Sequence, residues 1–327
     1  MVQSMLSLKE IKDKEYFPNR VFIKMLTVGT FSLAKTLLTN LGDIRKLRES
    51  SPSEERYVRP KRKYEIPKYR EGMKYCDSDE KYLRPTLYCN CRAPEIIALA
   101  NKLGAFKKSD YEFAEAAFEF AKRNLILEIL PMDDVSDTLR RGTGTCLHIN
   151  SVFAALCRAA GIKARYRLFA AVESQSMYEE IYDSMMRRWY DALGYFSLEG
   201  EIEVYIDGKW LPAHAGPTPE RQAAMGVPIT KFGESSMGLW FKPIPGTMFV
   251  TESLPYGIGM ITKALTLLAP KTVERINVNI LKQIEKGRKI LEEMGEENYD
   301  REARKKYKMM APKVILEKRK ELIFDEG

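Results

Sequence analysis

The segment RRGTGTCLHINSVFAALCRAAGIKARYRLFAAV, from Arg140 to Val172, constrains the fold more than any other stretch of the chain. Gly142 and Gly144 bracket a turn, and the pattern becomes helical at Cys146. Ile149, Val152, Phe153, Leu156 and Cys157 then share one helical face. Gly161 is placed to end the helix. Ala164 to Val172 follows as a strand, apolar and basic by turns. A thiolate at a helix start is stabilised by the free N–H groups and the helix dipole, which lowers the thiol pKa. Gly144 leaves room beside the thiol for a substrate carbonyl, and the Cys146 N–H is placed to serve an oxyanion hole. The same cysteine serves equally well as a small buried hydrophobe at a helix start.

Around this block the chain divides by pattern. Residues 20–41 are helical in spacing, with Phe22, Met25, Leu26, Leu33, Leu37 and Leu41 on a broad apolar face. Lys24 and Lys35 interrupt the run, so it does not qualify as a membrane span. Residues 45–90 read as an irregular connection broken by Pro52, Pro60, Pro67 and Pro85. A folded domain begins near Ala93 with the helix PEIIALANKLG. Ser109 and Glu112 form a capping-box pattern ahead of a second helix carrying Phe113, Ala117 and Phe120. Ser136 is placed to cap a short helix that includes Thr138 and Leu139. A charged helix from Met177 to about Ala192 reads as an insertion. Glu201 to Ile206 alternates with period two, Asp207-Gly208 makes a hairpin turn, and Lys209 begins the return strand. From Pro255 to Gly295 the chain is helical again, with Val273, Ile276, Ile280 and Ile284 in one stripe and Ile258, Met260, Ile261, Leu265 and Leu268 in an earlier patch. Arg301 to Leu322 is basic and helical, with a break at Pro312.

Composition bounds the class. The 327 residues are 45% apolar and 30% charged, the balance of a soluble globular protein. The five cysteines, an odd number without a secretory signal pattern, argue against a disulfide framework, so the expectation is an intracellular protein with reduced thiols. The net charge of +8 concentrates between Arg45 and Lys74, where Tyr57, Tyr64 and Tyr69 interleave with the charges. An extended, solvated arm accounts for that better than nucleic-acid binding does. Cys89-Asn90-Cys91, even with Cys76, falls short of the four ligands of a structural zinc site, and no metal is expected. There is no glycine-rich phosphate loop and no HExxH motif, and nothing calls for a cofactor.

The segment GTGTCLHINSVFAALCRAAGIKAR resembles the nucleophile region of the transglutaminase-like, papain-type superfamily. Those proteins carry Gly-x-Cys at a helix start, Arg-Ala-x-Gly-Ile at its end and Pro-Ala-Arg opening a strand. Lys163 stands here where proline is usual. The family's second motif, His-x-Trp-x-Glu-Val-Tyr, a turn, Gly-x-Trp and then Asp-Pro, is echoed by Ile202-Glu203-Val204-Tyr205, Asp207-Gly208-Lys209-Trp210 and Pro217-Thr218. The resemblance covers about residues 93–220. It implies an α+β fold: a papain/transglutaminase-like core, its nucleophile helix packed on an antiparallel sheet, with helical N- and C-terminal extensions. The expected division is 1–92 for an N-terminal helix and basic arm, 93–235 for the core, and 236–327 for a C-terminal helical region.

The resemblance also implies a Cys–His–Asp triad, in which cysteine attacks a carbonyl, histidine carries the proton and the acid orients the imidazole. Carried over position by position, the nucleophile is Cys146, the histidine position holds Glu199, and the aspartate position holds His214. Base and acid are thus exchanged. A carboxylate beside the thiol raises its pKa. The hairpin strands pair, so Glu199 and His214 could touch, leaving His214 to reach Cys146 with Glu199 orienting it. His148, two residues past Cys146, does not share its helix face and reads as structural. The expected function is a cysteine-dependent acyl-transfer enzyme (amidase, peptidase or transglutaminase-like) acting on a protein, peptide or amide substrate through a catalytic Cys146, His214 and Glu199. The alternative is a catalytically inactive or repurposed scaffold that binds a partner or a membrane surface through residues 20–41 and 255–269. The expected location is cytoplasmic, with that peripheral membrane contact as the variant.

Overall fold

The computed structural model describes residues 8–16, 20–39, 56–182, 187, 190, 194, 197–268, 270–313 and 315. Helices α1 (Leu8–Asp13) and α2 (Arg20–Thr39) come first. After an extended arm come α3 (Pro94–Leu103), α4 (Asp110–Asn124), strand β1 (Ile126–Leu127), α5 (Val135–Arg141), β2 (Thr143–Gly144) and α6 (Cys146–Ala159). Then follow β3 (Ala164–Glu173), α7 (Gln175–Ile181), β4 (Ser197–Ile206), β5 (Lys209–Ala213) and α8 (Pro219–Ala224). The chain continues through β6 (Phe241–Pro243), β7 (Phe249–Thr251), α9 (Tyr256–Leu268), α10 (Pro270–Met294) and α11 (Glu296–Lys306). The fold is α+β, helices packed on an antiparallel sheet.

Strand β3 is the axis of the sheet. It pairs antiparallel with β4 from Ala164↔Val204 to Ala171↔Ser197. Its other edge is taken by β6 at Ala171–Glu173 and by β7 at Tyr166–Leu168. β4 turns into β5 through Asp207 (φ 50°) and Gly208 (φ 78°), the two left-handed residues that a tight hairpin of this twist requires. The short β1 and β2 form a separate parallel pair.

Helix α6 is buried from Leu147 to Ala159. It packs on α3, α4 and α5 and against β3 and β4. Its apolar stripe explains the burial; its polar residues explain the orientation. Ser151 Oγ shares a hydrogen bond with Tyr166 Oη on β3 (2.8 Å). Arg158, fully buried, spends its guanidinium on Ala164 O (2.9 Å), Arg84 O (3.0 Å), Glu252 O (2.6 Å) and Thr86 Oγ1 (3.2 Å). One side chain thus ties the helix end to the start of β3, to the N-terminal arm and to the segment after β7.

Several expectations change in detail. Asp134, not Ser136, is the N-cap residue of α5; Ser136 lies inside the helix and donates to Glu95 Oε2 (3.2 Å). The described part of the basic arm is extended and mostly exposed, as expected, and a few of its side chains strap it to the core. Arg59 makes two 2.8 Å bonds to the Glu128 carboxylate, and Tyr64 Oη donates to Leu139 O (2.7 Å) and packs edge-on against Phe120. Residues 45–55 of the arm lie outside the described residues. Cys89 and Cys91 are core residues, their thiols donating to Ser151 O (3.8 Å) and Leu83 O (3.3 Å). In α2, Phe22 is buried against Phe249, while Phe31 and Leu38 are 74% and 72% exposed. The side chains of Met25, Leu26, Leu33 and Leu37, and Leu41 itself, lie outside the described set. So do the side chains of Met260, Ile261, Leu265 and Leu268, most of residues 183–196, and residues 316–327. Among the described residues, no helix is long and apolar enough to cross a membrane.

Replacing Arg158 by Met strands buried carbonyls that folding cannot return to water. Unfolding stability is expected to fall by about 3 kcal/mol or more in chemical denaturation. An unchanged midpoint would contradict the knot described for Arg158.

Candidate active site

Cys146 is the first residue of α6. The preceding Thr145 is the N-cap: its Oγ1 accepts from His148 N (3.4 Å), and its own N–H donates to His148 Nδ1 (3.1 Å). With Nδ1 accepting, the other ring nitrogen of His148, Nε2, carries the proton and donates to Asp133 Oδ1 (3.2 Å). His148 therefore closes a capping box and fixes the helix start. Gly144 is explained by the same ring, since a Cβ there would meet His148 Cβ at 2.5 Å. It makes room for the cap; the room beside the thiol comes from Gly216. A Cβ on Gly216 would stand 2.9 Å from Cys146 Cβ and 3.0 Å from His214 Nε2. Only glycine lets the loop after β5 lie so close to the cysteine.

One turn beyond Cys146, Asn150 holds both flanks of the site. Its Nδ2 donates to Gly200 O (3.0 Å), beside Glu199, and its Oδ1 accepts from Ala215 N (3.1 Å), beside His214. Lys122, fully buried on α4, supports the loop from behind with bonds to Pro217 O (2.9 Å), Gln222 Oε1 (2.7 Å) and Thr230 Oγ1 (2.9 Å). Burial lowers its amine to about 7.

These supports enclose a cavity of about 170 Å³. Cys146, Glu199, His214, Glu173 and Arg221 line it, with apolar walls from Trp240 and Phe241 and from Ile276 and Ile280 of α10. All three sequence-predicted residues meet here. Cys146 Sγ lies 3.9 Å from Glu199 Oε2, the long reach of a thiol hydrogen bond. Among the described residues neither ring nitrogen of His214 has a hydrogen-bond partner. The β4–β5 ladder ends at Ile202↔Ala213, three residues short of Glu199. Glu199 therefore contacts the cysteine directly, and a Glu199–His214 hydrogen bond is not formed.

The charges follow from burial. Desolvation, with the neighbouring Glu173, pushes the Glu199 carboxyl up to about 8. Desolvation raises Glu173 to about 7, while the Tyr182 hydroxyl, hydrogen-bonded to it, and Ser197 pull the other way. Desolvation lowers His214 to about 3, aided by the positive Lys122 and Arg221. The Cys146 thiol is pushed well above its usual range by burial and by Glu199; the backbone N–H groups of Leu147 and Cys146 and the Arg221 charge pull it down, but less. The lowering expected from the helix start is real in sign and is outweighed. At neutral pH the resting cavity holds a thiol, a neutral imidazole and a Glu199 carboxylic acid.

Glu173, Arg221, Asn150 and Trp240 were not singled out by sequence. Asn150 carried the clearest signal, an amide inside the buried run of α6. Glu173 ends β3, and Arg221 and Trp240 lie in loop-rich sequence with no pattern to mark them.

Comparison with known proteins agrees with the motifs. Residues 97–215 match the model of the transglutaminase-like superfamily. Two solved structures are similar to parts of the chain. One is a candidate cysteine protease from Cytophaga hutchinsonii, at 18% identity and TM-score 0.33, over 53% of this chain and 50% of that one. The other is a candidate protease from Parabacteroides distasonis, at 20% identity and TM-score 0.28, over 39% of this chain and 24% of that one. The chain thus spans half the length of the first and about a quarter of the second. No curated protein matches the sequence.

Two outcomes follow from the geometry. Asn150→Ala leaves Gly200 O and Ala215 N unpaired in the interior and is expected to cost about 2 kcal/mol in a denaturant titration. Glu173 and Glu199, with folded pKa values raised to about 7 and about 8, stabilise the fold fully below the ordinary carboxyl range and lose that contribution as pH rises through those values. His214 contributes no slope above its unfolded value near 6.5. Thermal stability is therefore expected to decline up to about pH 7, most steeply just above 6.5; beyond that Lys122, its folded amine lowered to about 7, gains stability with pH and offsets Glu199. A Glu173→Gln, Glu199→Gln double variant is expected to lose the decline; parallel curves would contradict the assigned shifts.

Proposed function

We propose that the transglutaminase-like core works as a cysteine-dependent acyl-transfer enzyme on a protein, peptide or amide substrate. The observation that carries this is the direct Cys146–Glu199 contact inside a cavity, at a helix start with unspent N–H groups. In its ionised form, Glu199, with a pKa of about 8, is a far stronger base than an ordinary carboxylate. It takes the thiol proton as Cys146 Sγ bonds to the substrate carbonyl carbon. The N–H groups of α6 steady the developing oxyanion. Glu199 returns the proton to the departing amine or alcohol as the carbon–heteroatom bond breaks, leaving a thioester on Cys146. Water or an amine then resolves the thioester. His214, held neutral, donates a hydrogen bond to the substrate or leaving group, since burial disfavours its protonation.

A second reading keeps the fold and drops the chemistry: a scaffold for binding, favoured by the lack of any imidazole bond to the sulfur. Alkylation by iodoacetamide with peptide mapping separates the two. The enzyme is expected to label at Cys146 faster than at the fully buried Cys157. It is also expected to release about one equivalent of p-nitrophenol from p-nitrophenyl acetate in a burst that Cys146→Ala abolishes. Labelling of Cys146 no faster than Cys157, with no burst, would overturn the enzyme.

A further inference from the structure

The cavity contains a cation that forms no ion pair among the described residues. Arg221 is 3% exposed and lines the cavity wall, yet among the described residues it forms no ion pair; its recorded bond is Nε donating to the neutral amide of Gln283 (Oε1, 3.3 Å). A buried charge left uncompensated is costly, and buried guanidinium groups ordinarily face a carboxylate. Neither carboxyl in the cavity pairs with Arg221 among the described residues: Glu173 Oε1 accepts from the Tyr182 hydroxyl while its Oε2 has no partner, and Glu199 contacts the cysteine. Further donors point the same way. Trp240 and His214, each 2% exposed, line the same cavity, and neither the indole Nε1 nor either imidazole nitrogen has a hydrogen-bond partner among the described residues. A fixed fork of N–H donors beside unspent single donors is the complement of a carboxylate.

We propose that Arg221 is the subsite for a substrate carboxylate, so that this enzyme acts on acyl groups or amides bearing a carboxylate within a few bonds of the carbonyl that Cys146 attacks. The source is a chain-terminal carboxylate, an acidic side chain or a small dicarboxylic acid amide. Size fits as well as charge: a cavity of about 150 Å³ accepts a molecule of benzene's size, so about 170 Å³ has room for one short carboxylate-bearing moiety. Arg221 and Cys146 line the same cavity, which puts the carboxylate subsite and the reacting sulfur in one enclosure. Burial holds both carboxyl neighbours toward their neutral forms, which weakens their competition for Arg221.

This inference rests on Cys146 as nucleophile, and a pair of alkylating agents tests the two parts separately. Iodoacetate and iodoacetamide share their chemistry and differ in the carboxylate. Their rate ratio at Cys146, divided by the ratio at the half-exposed Cys76 of the same molecules, is expected to favour iodoacetate by about tenfold, the low end of what a focused charge does to an ionic encounter. Arg221→Gln is expected to bring the normalised ratio near one, and Arg221→Lys, which keeps the charge, to retain most of it. A ratio near one in the unaltered protein overturns the subsite. Equal slowing of both reagents in Arg221→Gln also overturns it, assigning Arg221 as counter-ion of the thiolate instead. If Cys146 resists both reagents, the nucleophile fails and the subsite is read alone. Propionate is then expected to raise the melting temperature of the Cys146→Ser protein more than propionamide does at matched ionic strength, an advantage that Arg221→Gln removes; equal effects overturn the subsite. Among carboxylate sources, succinamate, N-acetylglutamine and a peptide ending in glutamine, compared in the same melt, rank the small acid, the blocked residue and the chain terminus.

Discussion

Asn150 uses one amide to hold two strand ends. Its donor side fixes the backbone at Gly200 and its acceptor side the backbone at Ala215, so Glu199 and His214 are both placed by a residue one turn from Cys146. The rest of the site depends on that clamp. The β4–β5 ladder has already ended at Ile202↔Ala213, and among the described residues no cross-strand ladder pair joins the two flanks beyond it. Arg158 anchors the other end of the same helix to β3, the N-terminal arm and the segment after β7. Between these two polar anchors the apolar stripe of α6 supplies the burial, and the anchors supply the register.

The clamp also creates the site's electrostatics. By drawing Glu199 and His214 into a cavity walled by Trp240, Phe241 and α10, it buries both groups. Desolvation disfavours each charged form, so carboxyls rise, the imidazole falls and the thiol rises. In the proposed reaction, burial compensates for the exchange of acid and base. The buried carboxyl gains basicity, and the buried imidazole keeps a neutral N–H to donate. Arg221 is the group for which burial has no neutral refuge, and it leaves the cavity asking for an anion.

Much of this was legible in the sequence where local rules suffice. The helix start at Cys146, its end near Gly161, the following strand and the Asp207-Gly208 turn each follow from residue pattern and backbone preference over a few positions. The contact of Cys146 with Glu199 was reached by carrying family positions across, and the thiol's proximity to a carboxylate with it. What the sequence did not reveal depends on long-range closure. Arg221, Trp240, Ile276 and Ile280 come from segments beyond β5 and meet the cysteine only when α10 lies across the core. Burial, which decides the sign of the thiol shift, belongs to that closure and is invisible to spacing. Gly144 shows the same limit on a small scale: its lack of a side chain serves the His148 ring, which a turn pattern cannot distinguish from room for a substrate.

The central claim is that Glu199, not His214, takes the proton from Cys146. The pH dependence of Cys146 acylation by p-nitrophenyl acetate tests it most directly. The expected rate rises through a midpoint near 8, where Glu199 ionises, and Glu199→Gln removes that rise while His214→Gln keeps it. A midpoint near 6.5 that survives Glu199→Gln and disappears in His214→Gln would make the imidazole the base and contradict the account.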